Sequence, residues 1–344
     1  MQAIVLVGGE GTRLRPLTYG TPKPMVPIVG VPFLARTMQR LKDAGITDVI
    51  LPAGYLPDAI KKYFGDGSAL GMKITFVIEE TPLGTAGALK NVEQYVHGPF
   101  FVLNGDVLTG LDLEAMMEAH ERNGGIGTLH LIRVEDPSAF GAVVHDDSGL
   151  ISAFVEKPPK ETAPTNDVNA GTYLFEREIL DLIPPGRNVS IERETFPHVI
   201  ETGKGLYAVT TDDYWIDLGR PEHYLQAHRD ALAGRIALPG VAPGVIHLDA
   251  GASIDPTAHV GPDVVIGAGS SVGPRAVVRD SVLWDGVTIE EGARVEGAIL
   301  ASGVRIGRGA VVPQGSVIGH NTAIAPGQIL ERDSRVGAGA PIAH

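Results

Sequence analysis

From Ile254 to Ile324 the chain repeats itself every six residues, and no other stretch restricts its fold as tightly. Aliphatic side chains stand at Ile254, Val260, Ile266, Val272 and Val278, then at Ile289 and Val295, then at Ile306, Val312, Ile318 and Ile324. Two eleven-residue gaps interrupt the period, each divisible into one six-residue and one five-residue step. A glycine often follows the aliphatic position, as in Val260-Gly261, Ile266-Gly267, Val272-Gly273, Ile306-Gly307 and Ile318-Gly319. Short strands joined by tight turns, each sending one aliphatic side chain inward, build a solenoid whose repeats pack only on their neighbours. Such a solenoid is expected over 253–330, after a Gly/Pro/Ala-rich connector at 233–252 and before a tail at 331–344.

Residues 1–232 follow a different grammar. Apolar runs at 3–7, 48–52, 73–78 and 100–103 read as strands, and amphipathic stretches at 33–42, 58–64, 86–96 and 113–120 as helices between or after them. This alternation predicts an α/β, Rossmann-like, mostly parallel sheet covered by helices, which later strands at 150–155 and 171–175 extend. Ligands in such sheets bind beyond the carboxyl ends of the strands. Two loops lie at such ends: the run beginning Gly8-Gly9-Glu10-Gly11-Thr12-Arg13-Leu14-Arg15, and Asn104-Gly105-Asp106.

A strand that empties into glycines lets backbone N–H groups approach a phosphate without Cβ interference, and fixed arginine charge suits a polyphosphate. A second basic loop, Pro22-Lys23-Pro24-Met25, follows closely. The run is not a P-loop, because no Gly-Lys-Ser/Thr follows at the required spacing, and glycines at 8, 9 and 11 do not match the dinucleotide fingerprint. Composition narrows the partners. A net charge of −13 argues against nucleic acid. The absence of cysteine excludes disulfides, thiolate metal sites and a cysteine nucleophile. With no eighteen-residue apolar run and no basic-then-apolar leader, a cytoplasmic location without a membrane partner is expected.

The stretch from Gly8 through Met25 resembles the signature of the sugar-1-phosphate nucleotidylyltransferases. The likeness extends to Pro82-Leu83-Gly84-Thr85-Ala86-Gly87, to Val189-Ser190-Ile191-Glu192-Arg193-Glu194-Thr195-Phe196-Pro197 and to Tyr214-Trp215-Ile216-Asp217-Leu218-Gly219. The six-residue period is similar to the hexapeptide repeat of the left-handed parallel β-helix, of which about four coils fit. The resemblance implies a nucleotidyltransferase catalytic domain over 1–232 followed by that β-helix. It also implies attack of a sugar-1-phosphate oxygen on the α-phosphorus of a nucleoside triphosphate, with Mg2+ as cofactor. The attacking phosphate is already an anion near neutral pH, so positioning and charge neutralisation carry the catalysis.

On that basis Arg13 and Lys23 would neutralise the triphosphate, and Asp106 and Asp217 would hold the metal. Gly8, Gly9, Gly11, Thr12, Gly84, Thr85 and Gly105 would surround the nucleotide. Lys157 would take the sugar phosphate, with Glu156, Asn169 and Gly171 beside the sugar. Asp217 could instead cap the helix opening at Pro221, and Thr85 could cap the helix after it. Arg15 could touch phosphate or pair with a surface acid. The motifs are most similar to those of members that use GTP and mannose 1-phosphate; thymidylyl or uridylyl transfer to glucose 1-phosphate stays open. Two competing classes are a regulatory protein that binds nucleotide sugars without turnover and an acyltransferase using His259 or His320. These histidines are expected instead to be solvent-facing turn residues. A homo-oligomer joined through the flat β-helix faces is expected.

Overall fold

The computed structural model describes residues 1–54 and 57–337; the end of the tail read at 331–344 therefore lies outside the described residues. The chain forms two compact units, one of Met1–Gly9 with Thr37–Trp215 and one of Glu10–Arg36 with Ile216–His344.

The first unit is built on a nine-stranded sheet. Strands β1 (Gln2–Leu6), β2 (Asp48–Ala53), β3 (Lys73–Ile78) and β4 (Phe100–Asn104) run parallel in the order β4-β1-β2-β3. Ala3, Ile4 and Val5 are wholly buried, as expected of a strand covered on both faces. The extension beyond β4 contains antiparallel pairs: β5 (Gly127–Arg133), β6 (Gly141–His145) and β7 (Ile151–Glu156) join through β8 (Asp167–Phe175), which pairs antiparallel with β4. A last strand, β9 (Leu206–Thr211), lies parallel to β5.

Helices α1 (Phe33–Asp43), α2 (Pro57–Phe64), α3 (Gly84–Asn91) and α4 (Leu113–Asn123) match the amphipathic stretches, with α5 (Phe196–Thr202) following later. The stretch read as one helix over 86–96 breaks at Val92 and ends in a 3-10 turn, whose Tyr95 carbonyl accepts from Gln2 Nε2 at 2.9 Å. That bond ties the turn to the start of β1. Asp112 caps α4, its Oδ1 accepting from Glu114 and Ala115 N–H, and Gly124 ends it at φ +66°. The core gathers Phe100, Tyr173, Phe175 and Phe196, with ring centroids 5.3 to 6.2 Å apart. Each such buried ring is worth about 2–3 kcal/mol in area removed from water.

The second unit is the solenoid together with the loop Glu10–Arg36 and helix α6 (Pro221–Leu232). Three parallel sheets of six, five and four strands form its faces, the first running from Ile246–Leu248 to Arg335–Val336. This is the fold of the left-handed β-helix. Six strands on one face exceed the roughly four coils read from the period, because Ile246–Leu248 and Arg335–Val336 lie outside the strictly repeating residues. The register pairs Ile254 with Val272, Val272 with Ile289, Ile289 with Ile306 and Ile306 with Ile324. Leu283 and Leu300, both wholly buried, fill the two gaps in the sequence pattern. Helix α6 is pinned to a solenoid corner by Arg229, which donates to both carboxylate oxygens of Asp280 at 2.6 and 2.7 Å. His259 faces solvent as expected, whereas His320 does not: it is half-buried against residues of the Glu10–Arg36 loop.

Candidate functional site

The candidate residues divide between the two units. In the first, β1 ends at Gly8 and Gly9, where a Cβ would meet nothing within 4 Å, so both border open space. Gly105 answers a tighter demand. Its N–H donates to Leu6 O at 2.9 Å, and a Cβ there would lie 2.4 Å from that oxygen. Only glycine lets the end of β4 lie on β1, and this fixes where Asp106 begins.

Lys157 follows β7 with φ +51°, an uncommon conformation for a side chain of its size, held by its N–H donating to Phe140 O at 2.9 Å. Its Nζ lies 3.3 Å from Glu156 Oε1. Asn169 is committed within its own strand: Oδ1 accepts from Gly171 N–H at 3.1 Å and Nδ2 donates to Tyr173 Oη at 2.8 Å. One amide proton and one oxygen lone pair remain for a ligand. Gly171 has φ +76°, and a Cβ on it would stand 2.6 Å from Asn104 Nδ2. Asn104 at the end of β4, Glu156 at the end of β7, and Asn169, Gly171 and Tyr173 at the irregular middle of β8 thus belong to one neighbourhood. Burial, followed by the nearby Glu192 carboxylate, holds the Tyr173 phenol far above its usual range, so it acts as a neutral hydrogen-bonding group.

Gly84 and Thr85 serve structure directly. Gly84 has φ +71°, and a Cβ would come within 2.6 Å of Val189 O, which accepts from Ala86 N–H and Gly87 N–H. Thr85 does not cap α3. Its Oγ1 accepts from Ile191 N–H at 2.8 Å and donates to Glu192 Oε2 at 3.0 Å, and α3 has no side-chain cap. Glu192 also accepts from Ser190 Oγ at 2.9 Å, at the start of a π-helical turn, Ile191–Thr195. Turns of this kind are concentrated at functional sites.

In the second unit, Thr12, Arg13 and Leu14 form a 3-10 turn after Gly11, whose φ is +61°. A Cβ on Gly11 would meet Thr18 at 2.9 Å and Lys23 at 3.1 Å, and Thr18 Oγ1 donates to Gly11 O at 2.8 Å. The loop therefore closes on itself and brings Lys23 beside the glycine turn. Arg13 and Asp217 come together as well. The position of a Cβ on Gly219 lies 2.6 Å from Arg13 Nη2 and 2.7 Å from Asp217 Oδ1. Asp217 Oδ1 accepts from Gly219 N–H at 2.5 Å, which leaves Oδ2 for a further ligand. It is not the helix cap: α6 is preceded by Arg220, with Pro221 in its first turn. Arg15 pairs with Glu10 at 2.7 Å and lies over the Tyr19 ring. Among the described residues no group of three or more His, Asp or Glu could hold a metal ion.

Residues 2–234 match the profile of a family described as nucleotidyl transferase. The chain belongs to the nucleotidyl transferase family. Residues 242–336 match a second family, the GMPPB C-terminal domain. The chain is 43% identical to a mannose-1-phosphate guanylyltransferase of Mycobacterium tuberculosis, over 86% of this chain and 83% of that one. It is 35% identical to mannose-1-phosphate guanylyltransferase 1 of Arabidopsis thaliana, over 98% and 91%. A crystal structure of HddC from Yersinia pseudotuberculosis complexed with GMP-PN is similar in fold, with TM-score 0.56 and 33% identity, covering 66% of this chain and 97% of that one.

For a nucleotidyl transferase, three neighbours of the site escaped the sequence analysis as functional residues: Asn104, Tyr173 and Glu192. Asn104 and Glu192 lie inside motifs already singled out, two residues before Asp106 and within the run 189–197, and Tyr173 follows the candidate Asn169 by four residues. The signal was adjacency in sequence to the chosen residues.

Proposed function

We propose that this nucleotidyl transferase moves GMP from GTP to mannose 1-phosphate, releasing pyrophosphate. One observation carries the chemistry: the Arg13 guanidinium, on the glycine-rich loop that also carries Lys23, meets the Asp217 carboxylate over Gly219, just before α6. The choice of base and sugar rests on the guanylyltransferases to which the chain is 35 to 43% identical.

A phosphate oxygen of the sugar forms a bond to the α-phosphorus. The bond from that phosphorus to the α,β-bridging oxygen breaks, and pyrophosphate departs with the electron pair. Arg13 and Lys23 neutralise the triphosphate and the leaving pyrophosphate. Lys157 holds the sugar phosphate, while Glu156 and Asn169 hydrogen-bond sugar hydroxyls. Gly8, Gly9 and Gly105 allow close approach of the backbone. No general base is required, so the residues act by orientation and charge. Asp106 and Asp217 offer hard carboxylate oxygens, which suit Mg2+, and the ion bound there would add positive charge against the triphosphate.

The test is pyrophosphate release across GTP, dTTP, UTP and ATP against mannose and glucose 1-phosphates, with and without Mg2+. Highest turnover for GTP with mannose 1-phosphate, lost on adding EDTA, supports the proposal. Highest turnover for UTP or dTTP with glucose 1-phosphate overturns the substrate assignment and keeps the mechanism; a uridylyltransferase of Synechocystis, 33% identical over 89% of this chain, makes that comparison necessary.

A further inference from the structure

The loop Glu10–Arg36 carries Arg13 and Lys23, and its conformation is held from the solenoid. Leu17 and Thr21 stand between these two cations in sequence, and both bond one side chain of a distant coil. His320 Nε2 lies 3.0 Å from Thr21 Oγ1, and the same imidazole hydrogen-bonds the Leu17 backbone. A Cβ on Gly20 would touch the ring at 3.4 Å, so the loop lies flat against it. The imidazole is fixed from behind by the Trp284 indole, centroids 5.3 Å apart, edge to face.

The support continues along the loop. Trp284 Nε1–H donates to Tyr224 Oη at 3.0 Å, and Tyr224 Oη–H donates to Pro27 O at 2.5 Å. His228 accepts from Val29 N–H at 3.1 Å, and Arg36 donates to Ile28 O and Val29 O. These anchors grip the stretch after Lys23. Between Arg13 and Lys23, His320 bonds the loop at Leu17 and Thr21, and Pro16 packs against Gly319 and Gly337 of the solenoid. The loop's own hydrogen bonds, such as Leu14 N–H to Gly11 O, Tyr19 N–H to Pro16 O and Val26 N–H to Lys23 O, close short local turns. Bonds from the solenoid fix these turns relative to one another, and ordering them before the ligand arrives removes that entropy from the binding step.

We propose that His320 is a positioning residue: the solenoid, through this imidazole, presets the spacing of Arg13 and Lys23 for the triphosphate. The proposal rests on the reading that those two residues bind the triphosphate, and the experiment separates the two. Steady-state constants are measured with the most active nucleotide and sugar phosphate for His320→Ala, His320→Gln, Thr21→Val and Arg13→Ala, with melting temperatures alongside. His320→Ala is expected to raise KM for the nucleotide about 10-fold while KM for the sugar phosphate stays within about twofold. His320→Gln, which keeps a donor and an acceptor, recovers most of the loss, and Thr21→Val moves in the same direction as His320→Ala by a smaller factor. An unchanged nucleotide KM in His320→Ala overturns the proposal. So does an equal rise in both KM values with a lowered melting temperature, because that is a purely structural effect. Wild-type constants in Arg13→Ala overturn the underlying reading of the loop instead.

Discussion

Single glycines and carboxylates carry demands that can be tested one residue at a time. Gly171 combines φ +76° with the approach of Asn104, so Gly171→Ala strains the backbone and pushes the amide aside. Its expected cost is about 1 kcal/mol or more in unfolding free energy, together with a raised KM for the sugar phosphate, read by denaturant titration and steady-state kinetics. Asp217→Asn keeps an oxygen that can accept from Gly219 N–H but removes the charge beside Arg13. Turnover should fall by about 100-fold or more with little change in melting temperature. A fall in stability matching the fall in rate would mean that Asp217 is structural. The candidate residues themselves were legible in short motifs. Their duties were not: Thr85 bonds Ile191 and Glu192 across more than a hundred residues, and no local spacing reports such a pairing.

Among the elements, the solenoid coils were the most legible, because one buried position recurs with a fixed period. The gaps at 278–289 and 295–306 hide Leu283 and Leu300, each of which completes a layer. Leu300→Ala therefore removes a wholly buried side chain from between two coils, at an expected cost of 2–5 kcal/mol, about the range for such truncations. Ile329→Ala, at a residue 73% exposed, should change stability by less than about 0.5 kcal/mol in the same chemical denaturation. The α/β elements were legible from alternation alone, whereas the antiparallel pairing of β8 with β4, β5 and β6 was not. Strand direction depends on where the connecting loops cross, and a strand's own side-chain pattern reads the same both ways.

Across the whole molecule, acid acts on buried histidines. Burial, aided by Arg40, pushes His130 down to about 4 from the usual 6.5, and burial does the same to His228, whose backbone bond to Tyr224 opposes it. Both are neutral when folded, while the unfolded chain takes up a proton on each near 6.5. Stability is therefore full above about pH 6.5 and declines as pH falls from 6.5 toward 4. Each histidine should withdraw about 2 kcal/mol between pH 7 and pH 5. His130 belongs to the first unit and His228 to the second, so both units should weaken. Denaturant titrations at the two pH values check this, and His228→Gln should flatten the slope; an unchanged slope in that variant would exclude His228 as a source.

The amino-acid sequence by itself determined the two architectures, the glycine-rich loop after the first strand and the motifs around Asp106, Lys157 and Asp217. It could do so because strand alternation, helix amphipathicity, the six-residue period and loop glycines are local properties, written within a few residues of where they act. The tertiary structure alone decided which side chains meet: Asn104 with Gly171, Arg13 with Gly219 and Asp217, and His320 with Leu17 and Thr21. His259 opens a short strand of the solenoid and faces water, while His320, in a turn after Ile318, holds a loop some three hundred residues away in sequence. The difference lies in what the rest of the chain packs against each histidine, which only the folded chain determines.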